Sequence, residues 1–93
     1  MMEKNLRQEI LSFLATHGKE SVDICPLLNI MVAHGRHSSG YLVIMMQSMC
    51  ANHLLWYDEL QLAKYYPHGP VMARIEPEGL KEFKRVTNMK VKS

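Results

Sequence analysis

The sequence has few of the features that mark secreted, membrane-spanning or catalytic proteins. Its 93 residues include only two cysteines, Cys25 and Cys50, which are too few for a disulfide framework. Both fall in apolar helical patterns, where a free thiol behaves as a small hydrophobic side chain. No run approaches the roughly 20 apolar residues that cross a bilayer, and the N-terminus leads into an amphipathic pattern instead of a signal core. We therefore expect one domain over residues 1–93 in a reduced, cytoplasmic setting, without a membrane.

Signs of catalysis are also scarce. No glycine-rich phosphate loop is present, and the glycines match no nucleotide-binding fingerprint. A nucleophilic cysteine needs an electropositive, partly open setting, which the apolar runs around both cysteines do not offer. Asp58 and Glu59 are adjacent in a strand or turn, so their carboxylates point apart instead of forming an acid–base pair. We expect a protein without catalytic residues and without a cofactor.

The first two segments with helical periodicity lie in the N-terminal third of the chain. Residues 3–16 place apolar side chains on one face and end before Gly18, a suitable C-terminal cap; the expected core residues are Leu6, Ile10, Phe13 and Leu14. A second helix, apolar nearly all round, should begin near Asp23 as its N-cap. It carries Pro26 in its first turn, where proline is tolerated, and ends at Gly35.

A third helix is predicted over about 39–53, with Ser38 or Ser39 as its N-cap. Its expected core face is Leu42, Met45, Met46, Met49 and His53. Methionines cluster on the second and third helices at Met31, Met45, Met46 and Met49. They indicate either core filling or an adaptable binding surface, because methionine repacks easily.

The last third of the chain predicts a β-hairpin and a closing helix. Residues 54–57 read as a half-buried strand, and residues 58–70 read as a loop with the polar and aromatic side chains Lys64, Tyr65, Tyr66 and His68. Residues 71–75 alternate, with Val71, Ala73 and Ile75 on one side and Met72 and Arg74 on the other. Pro77 starts a short helix with Leu80, Phe83 and Val86 inward, and the basic tail from Thr87 is expected to fray.

Two stretches carry a resemblance to a known superfamily. Met46–Leu55 resembles the end of a winged-helix recognition helix that runs into the second strand, and Arg74–Leu80 is similar to the junction between the third strand and the last helix in bacterial winged-helix regulators. That junction often reads Ile-Thr-Pro-Glu-Gly-Leu, with threonine where this chain has Glu76. The resemblance implies an α+β winged helix: a three-helix core, a two-stranded hairpin wing and a short C-terminal helix. It also implies a tendency to bind nucleic acid.

In that superfamily the third helix lies in the major groove and reads bases with polar side chains. Here its expected outward positions include Gln47 and Ser48, which could reach bases, and none of those positions is cationic. Attraction to phosphates would come from other positions, namely Arg36, His37, Lys64, Arg74 and the C-terminal lysines. The net charge of +2, with a pI near 8.6, permits binding to nucleic acid without requiring it.

Three hypotheses follow from this pattern. The first, which the resemblance ranks narrowly ahead, is a homodimeric regulator that binds double-stranded DNA. The second is a winged-helix module that binds a protein or its own second copy, because an outward apolar stripe at Tyr41, Val43 and Ile44 suits a protein surface. The third is an all-helical domain in which the hairpin does not form.

A zinc site is a further alternative for the histidines. His34 and His37 form one pair at the spacing of zinc ligands, and Cys50 and His53 form another. Structural zinc sites usually contain more thiolates, and both pairs lie in or beside helices with core positions of their own. Cys50 and His53 are more simply a core thiol and a histidine at a helix end. We therefore predict no metal ligands.

Overall fold

A computed structural model describes the backbone of residues 2–34 and 37–92 and the side chains of residues 6–34 and 37–87. Within these residues the chain forms five helices: α1 (Met2–Ala15), α2 (Cys25–Ala33), α3 (Ser39–Ala51), α4 (Glu59–Tyr65) and α5 (Pro77–Lys92). The same residues form three strands: β1 (Val22–Asp23), β2 (Leu55–Tyr57) and β3 (Met72–Ile75). The radius of gyration of 12.8 Å is near the value of about 12 Å for a folded chain of this length.

The three strands form one antiparallel sheet with the order β1-β3-β2. Leu55 lies opposite Ile75 and Tyr57 opposite Ala73, so the predicted hairpin pairing is confirmed and an all-helical domain is excluded. The predicted alternation along the last strand is also confirmed: Val71, Ala73 and Ile75 are buried, whereas Met72 and Arg74 are partly exposed. The inner face of this sheet is therefore dry and completes the core.

Strand β1 replaces the predicted start of the second helix. Asp23 is a strand residue and not an N-cap, since the N-cap of α2 is Ile24. The Asp23 carboxylate instead accepts hydrogen bonds from the backbone N–H groups of Cys25, at 3.0 Å, and Val71, at 2.9 Å. One side chain thus joins the start of α2 to the approach to β3. The predicted end of this helix, Gly35, lies outside the described residues.

Helix α4 occupies the segment that was predicted to be a wing loop, so that prediction is wrong. The Asp58 carboxylate accepts a hydrogen bond from the Gln61 N–H at 3.0 Å and caps the helix. Leu62 is buried beneath it. The Gln61 side chain in turn accepts a hydrogen bond from the Met72 N–H at 2.8 Å, which ties α4 to β3.

Helix α5 is not the short helix that the sequence predicted, because its sixteen residues extend past Thr87 to Lys92. It packs against α1, where the Arg7 guanidinium lies 2.9 Å from the Glu82 carboxylate. Gly79, on the same helix, allows close packing, since a Cβ there would overlap the Leu54 carbonyl oxygen. Helices α1 and α5 therefore pack directly against each other.

The core lies between the inner face of the sheet and the first three helices. On α1 the predicted Leu6, Ile10 and Leu14 are buried, Phe13 is partly buried, and Leu11 joins them unpredicted. The four clustered methionines Met31, Met45, Met46 and Met49 are all buried, so the core-filling interpretation is confirmed. His53 does not belong to this core, because it is exposed beyond the end of α3.

Candidate binding face of helix α3

Helix α3 has well-formed ends that fix its position. The Ser38 hydroxyl accepts a hydrogen bond from the Tyr41 N–H at 3.2 Å, so the predicted serine cap is confirmed. At the other end His53 adopts a positive φ of 64°. The Leu54 N–H donates to the Met49 carbonyl at 2.9 Å, and the His53 N–H donates to the Cys50 carbonyl at 3.0 Å. This pattern is a Schellman motif, which turns the chain directly into β2.

The outward face of α3 carries the polar side chains of Gln47 and Ser48 and the apolar side chains of Ile44 and Ala51. Gln47 and Ser48 are exposed next to each other, and Ile44, 63% exposed, precedes them by one turn. All three lie on one surface, because residues three and four apart are neighbours on a helix. No residue of α3 is charged. The face can offer an amide, a hydroxyl and a methyl-rich contact, but no ionic contact.

The three residues of the predicted partner interface differ in exposure. Val43 is partly buried and packs against the protein's own core. Tyr41 is also partly buried, and its ring stacks on the His37 ring with centroids 5.1 Å apart and planes inclined by 14°. Of the three, Ile44 alone is exposed, whereas Tyr41 and Val43 are partly buried. The predicted apolar stripe is therefore reduced to a single side chain, because the core covers much of the other two.

The residues predicted to attract phosphate are spread over several elements. His37 lies at the N-terminal end of α3, and Lys64 is exposed in the last turn of α4. Arg36 lies outside the described residues. The C-terminal Lys90 and Lys92 lie in α5, and their side chains are likewise outside the described part. The described cations among these residues are not gathered on α3 itself.

Arg74 has partners on the sheet and at the β3–α5 junction. Its guanidinium lies over the Trp56 ring, 4.6 Å from the centroid, because the two residues are directly opposite in the hairpin. Its Nε donates a hydrogen bond to the Glu76 carboxylate at 3.2 Å. The sequence placed Trp56 and Arg74 on neighbouring strands but missed this stack. A pairing register, read from the alternation of both strands, would have been the signal for it.

The histidines and cysteines do not assemble into a metal site in the part of the chain that the structure describes. Among those residues, no three His, Cys, Asp or Glu side chains lie close enough together to hold a metal ion. His34 and His53 are exposed, and Cys50 is partly buried. The zinc alternative therefore finds no ligand set among the described residues.

Cys25 lies in an environment that suppresses nucleophilicity. Its side chain is 1% exposed, and burial raises the pKa of the thiol from its ordinary value of 9.0 to about 11. Burial is the largest cause of this raised pKa, and the charge and a hydrogen bond of the nearby Asp23 carboxylate act in the same direction. The thiol stays protonated at neutral pH, which is the opposite of what a nucleophilic cysteine requires.

Across residues 2–34 and 37–92, no helix has both the length and the apolar character needed to span a bilayer. No family model, no curated protein and no solved structure shows a significant match to this chain. Its functional assignment therefore depends on its own residues and their geometry.

Proposed function

We propose that this chain is a non-catalytic winged-helix regulatory domain that binds double-stranded DNA through α3. The observation that carries the proposal is the pair of exposed polar side chains, Gln47 and Ser48, on the outward face of that helix. The element order supports it, since α1, α2 and α3 precede the antiparallel pair β2 and β3 and the last helix α5, with α4 between the two strands. The free thiols of Cys25 and Cys50 are consistent with a cytoplasmic setting.

The outward face of α3 suits base contacts in the major groove. The amide N–H of a glutamine can donate to N7 of adenine while its carbonyl oxygen accepts from N6, and a serine hydroxyl can pair with several base edges. Ile44, one turn before Gln47, can contact a thymine methyl group. These uncharged groups would give a preference for particular base pairs, but they would contribute little long-range attraction to DNA.

Attraction to the DNA backbone would come from outside α3. Lys64 is exposed and belongs to α4, and we assign Arg36 and the C-terminal lysines to the same role. Arg74 is assigned a structural role instead, because Trp56 and Glu76 already engage its guanidinium. Binding should weaken steeply as salt rises, by about one power of salt concentration for each phosphate neutralised.

Fluorescence anisotropy at low salt, after selection from a randomised duplex pool, tests the proposal. Replacing both Gln47 and Ser48 by alanine should remove the preference for the selected sequence, because the base contacts are lost. Lys64→Ala should weaken binding to all sequences and reduce the salt slope by about one. Ser21→Ala, an exposed serine outside α3, is the matched control and should bind like the wild type.

Binding to no duplex at tens of micromolar protein would contradict the proposal, since even non-specific DNA binders reach about that range. If Ser21→Ala also lost the preference for the selected sequence, that result would contradict the assigned role of α3.

The second candidate function is docking of α3 onto a second copy of the chain. Its support is Ile44, 63% exposed on a helix without charge. A twofold interface brings the same residues of both copies together, so an uncharged face avoids repulsion between like charges. Burial of this surface would stabilise the pair by about 25 cal/mol for each Å² removed from water.

Two matched lysine substitutions separate the candidates. Ile44→Lys should convert a dimer to a monomer. Leu60→Lys changes an apolar residue that is 78% exposed on α4, and it should leave the mass of the dimer unchanged. For a DNA-binding α3, Ile44→Lys should retain or raise DNA affinity, because it adds a cation where the helix meets the groove. A wild-type protein that is monomeric by light scattering at high concentration would eliminate the dimer.

A further inference from the structure

A cleft lies on the side of the molecule where α1 ends and α5 begins. It has a volume of about 560 Å³, and its lining includes Ala15, Lys19, Arg74, Ile75, Glu76 and Leu80. These residues come from the last turn of α1, the turn that follows it, the end of β3 and the first turn of α5. The cleft is distinct from the outward face of α3, and no part of the proposed DNA contact depends on it.

The interior of the cleft is mainly apolar. Ala15, Ile75 and Leu80 contribute hydrocarbon surface, and Pro77 adds its ring. Ile75 is itself buried, so the apolar wall continues into the protein core. Small-molecule sites are typically concave, mostly apolar and about 300–1,000 Å³ in volume, and this cleft falls within that range.

The charged groups of the cleft leave one positive charge uncompensated. The Glu76 carboxylate is bound to Arg74 at 3.2 Å, so these two side chains balance each other. Lys19 is exposed and forms no ion pair within the described part of the chain. An apolar cavity edged by one unmatched ammonium group is complementary to a molecule that has an apolar body and one negative charge.

We propose that this cleft binds a small aliphatic monocarboxylate. The hydrocarbon chain lies against Leu80, Ala15 and Ile75, and the carboxylate pairs with the Lys19 ammonium group. No bond is made or broken. Arg74 and Glu76 keep their own pair and form one edge of the site.

The chain contains a built-in reporter for this site. Trp56 is its only tryptophan, its ring lies under the Arg74 guanidinium, and Arg74 is also a lining residue of the cleft. A ligand that enters the cleft changes the surroundings of this cation and therefore the emission of Trp56. Titration calorimetry measures the same binding without relying on fluorescence.

The test uses the full chain and octanoate up to millimolar concentration, with octanol and octylamine as neutral and cationic comparisons. Octanoate should bind saturably, about threefold more tightly than octanol, because the pair it forms with Lys19 is exposed to water. Octylamine should bind least. Lys19→Met should remove the advantage of octanoate over octanol, and Lys19→Arg should keep it.

Three results would overturn the proposal. One is the absence of saturable binding of octanoate in both emission and calorimetry. Another is equal affinity for octanoate and octanol in the wild type, which would mean that the charge has no role. The last is an unchanged preference for octanoate in Lys19→Met, whose fold is checked by circular dichroism.

Discussion

Gly79 gives a sharp test of how α5 packs on the rest of the fold. It is buried, and a Cβ built on it would overlap the Leu54 carbonyl oxygen and lie 3.1 Å from Ile75 Cγ1. That carbonyl also accepts the Glu76 N–H at 3.0 Å, so it cannot move away without disturbing this hydrogen bond. In Gly79→Ala we therefore expect α5 to shift outward from the end of α3 and from β3.

The expected cost follows from three contributions. Alanine is favoured over glycine inside a helix by about 1 kcal/mol. Overpacking costs about 1–3 kcal/mol, because the clash involves backbone instead of a flexible side-chain end. Loss of the Glu76–Leu54 hydrogen bond adds about 1 kcal/mol. The net prediction is that Gly79→Ala lowers the free energy of unfolding by about 1–3 kcal/mol.

Gly40 provides the matched control, because it is also a helical glycine but is exposed, and a Cβ there would meet nothing within 4 Å. Gly40→Ala should raise stability by about 0.5–1 kcal/mol through helix propensity alone. Urea unfolding followed by circular dichroism measures both changes. The midpoint should fall by about 1 M for Gly79→Ala and rise by a few tenths for Gly40→Ala. An unchanged or higher midpoint for Gly79→Ala would refute the packing argument.

Three further predictions concern single side chains. Asp23→Ala should lower the free energy of unfolding by about 2–3 kcal/mol in urea, because two partly buried N–H groups lose their acceptor, and Asp23→Asn should cost less. His53→Gly should raise the thermal midpoint, with a gain of about 0.5–1 kcal/mol, since glycine adopts a positive φ without strain. The raised pKa of Cys25 means that the folded state keeps a proton that the unfolded state releases, so stability should fall from pH 9 towards about 11. In urea unfolding at each pH, Cys25→Ala should make this fall in stability shallower by about 2 kcal/mol.

Periodicity predicted the elements that are long or strongly patterned. The first and third helices and the hairpin pairing of β2 with β3 follow from apolar spacing alone, because each buries one face against a common core. Helix α4 was not predicted because it is seven residues long. Leu62 is its one buried residue, so its sequence shows no helical repeat of apolar side chains. Strand β1 escaped because its two residues pair with β3, which is distant in the chain.

The candidate site was harder to predict than the fold. Helix α3 is apolar on most sides, so hydrophobic spacing does not define which side its neighbours cover. Val43 was therefore placed outward, although it packs against the core, while Ile44 beside it is exposed. The position of Arg74 was predicted, but its partners depend on the register of Trp56 and on the carboxylate of Glu76. Such contacts are set by tertiary packing, which one sequence does not display.

The position of β3 has a consequence for how the chain acquires its structure during synthesis. This strand is the last of the three in sequence, yet it lies in the centre of the sheet and also contacts α1. While a ribosome is still producing the segment that follows α4, neither β1 nor β2 has a partner, and α1 lacks part of its cover. Pairings between distant segments delay folding, because loop closure must precede the contacts that stabilise it. A nascent chain that stalls before Met72 therefore exposes two strand edges to its neighbours and to chaperones.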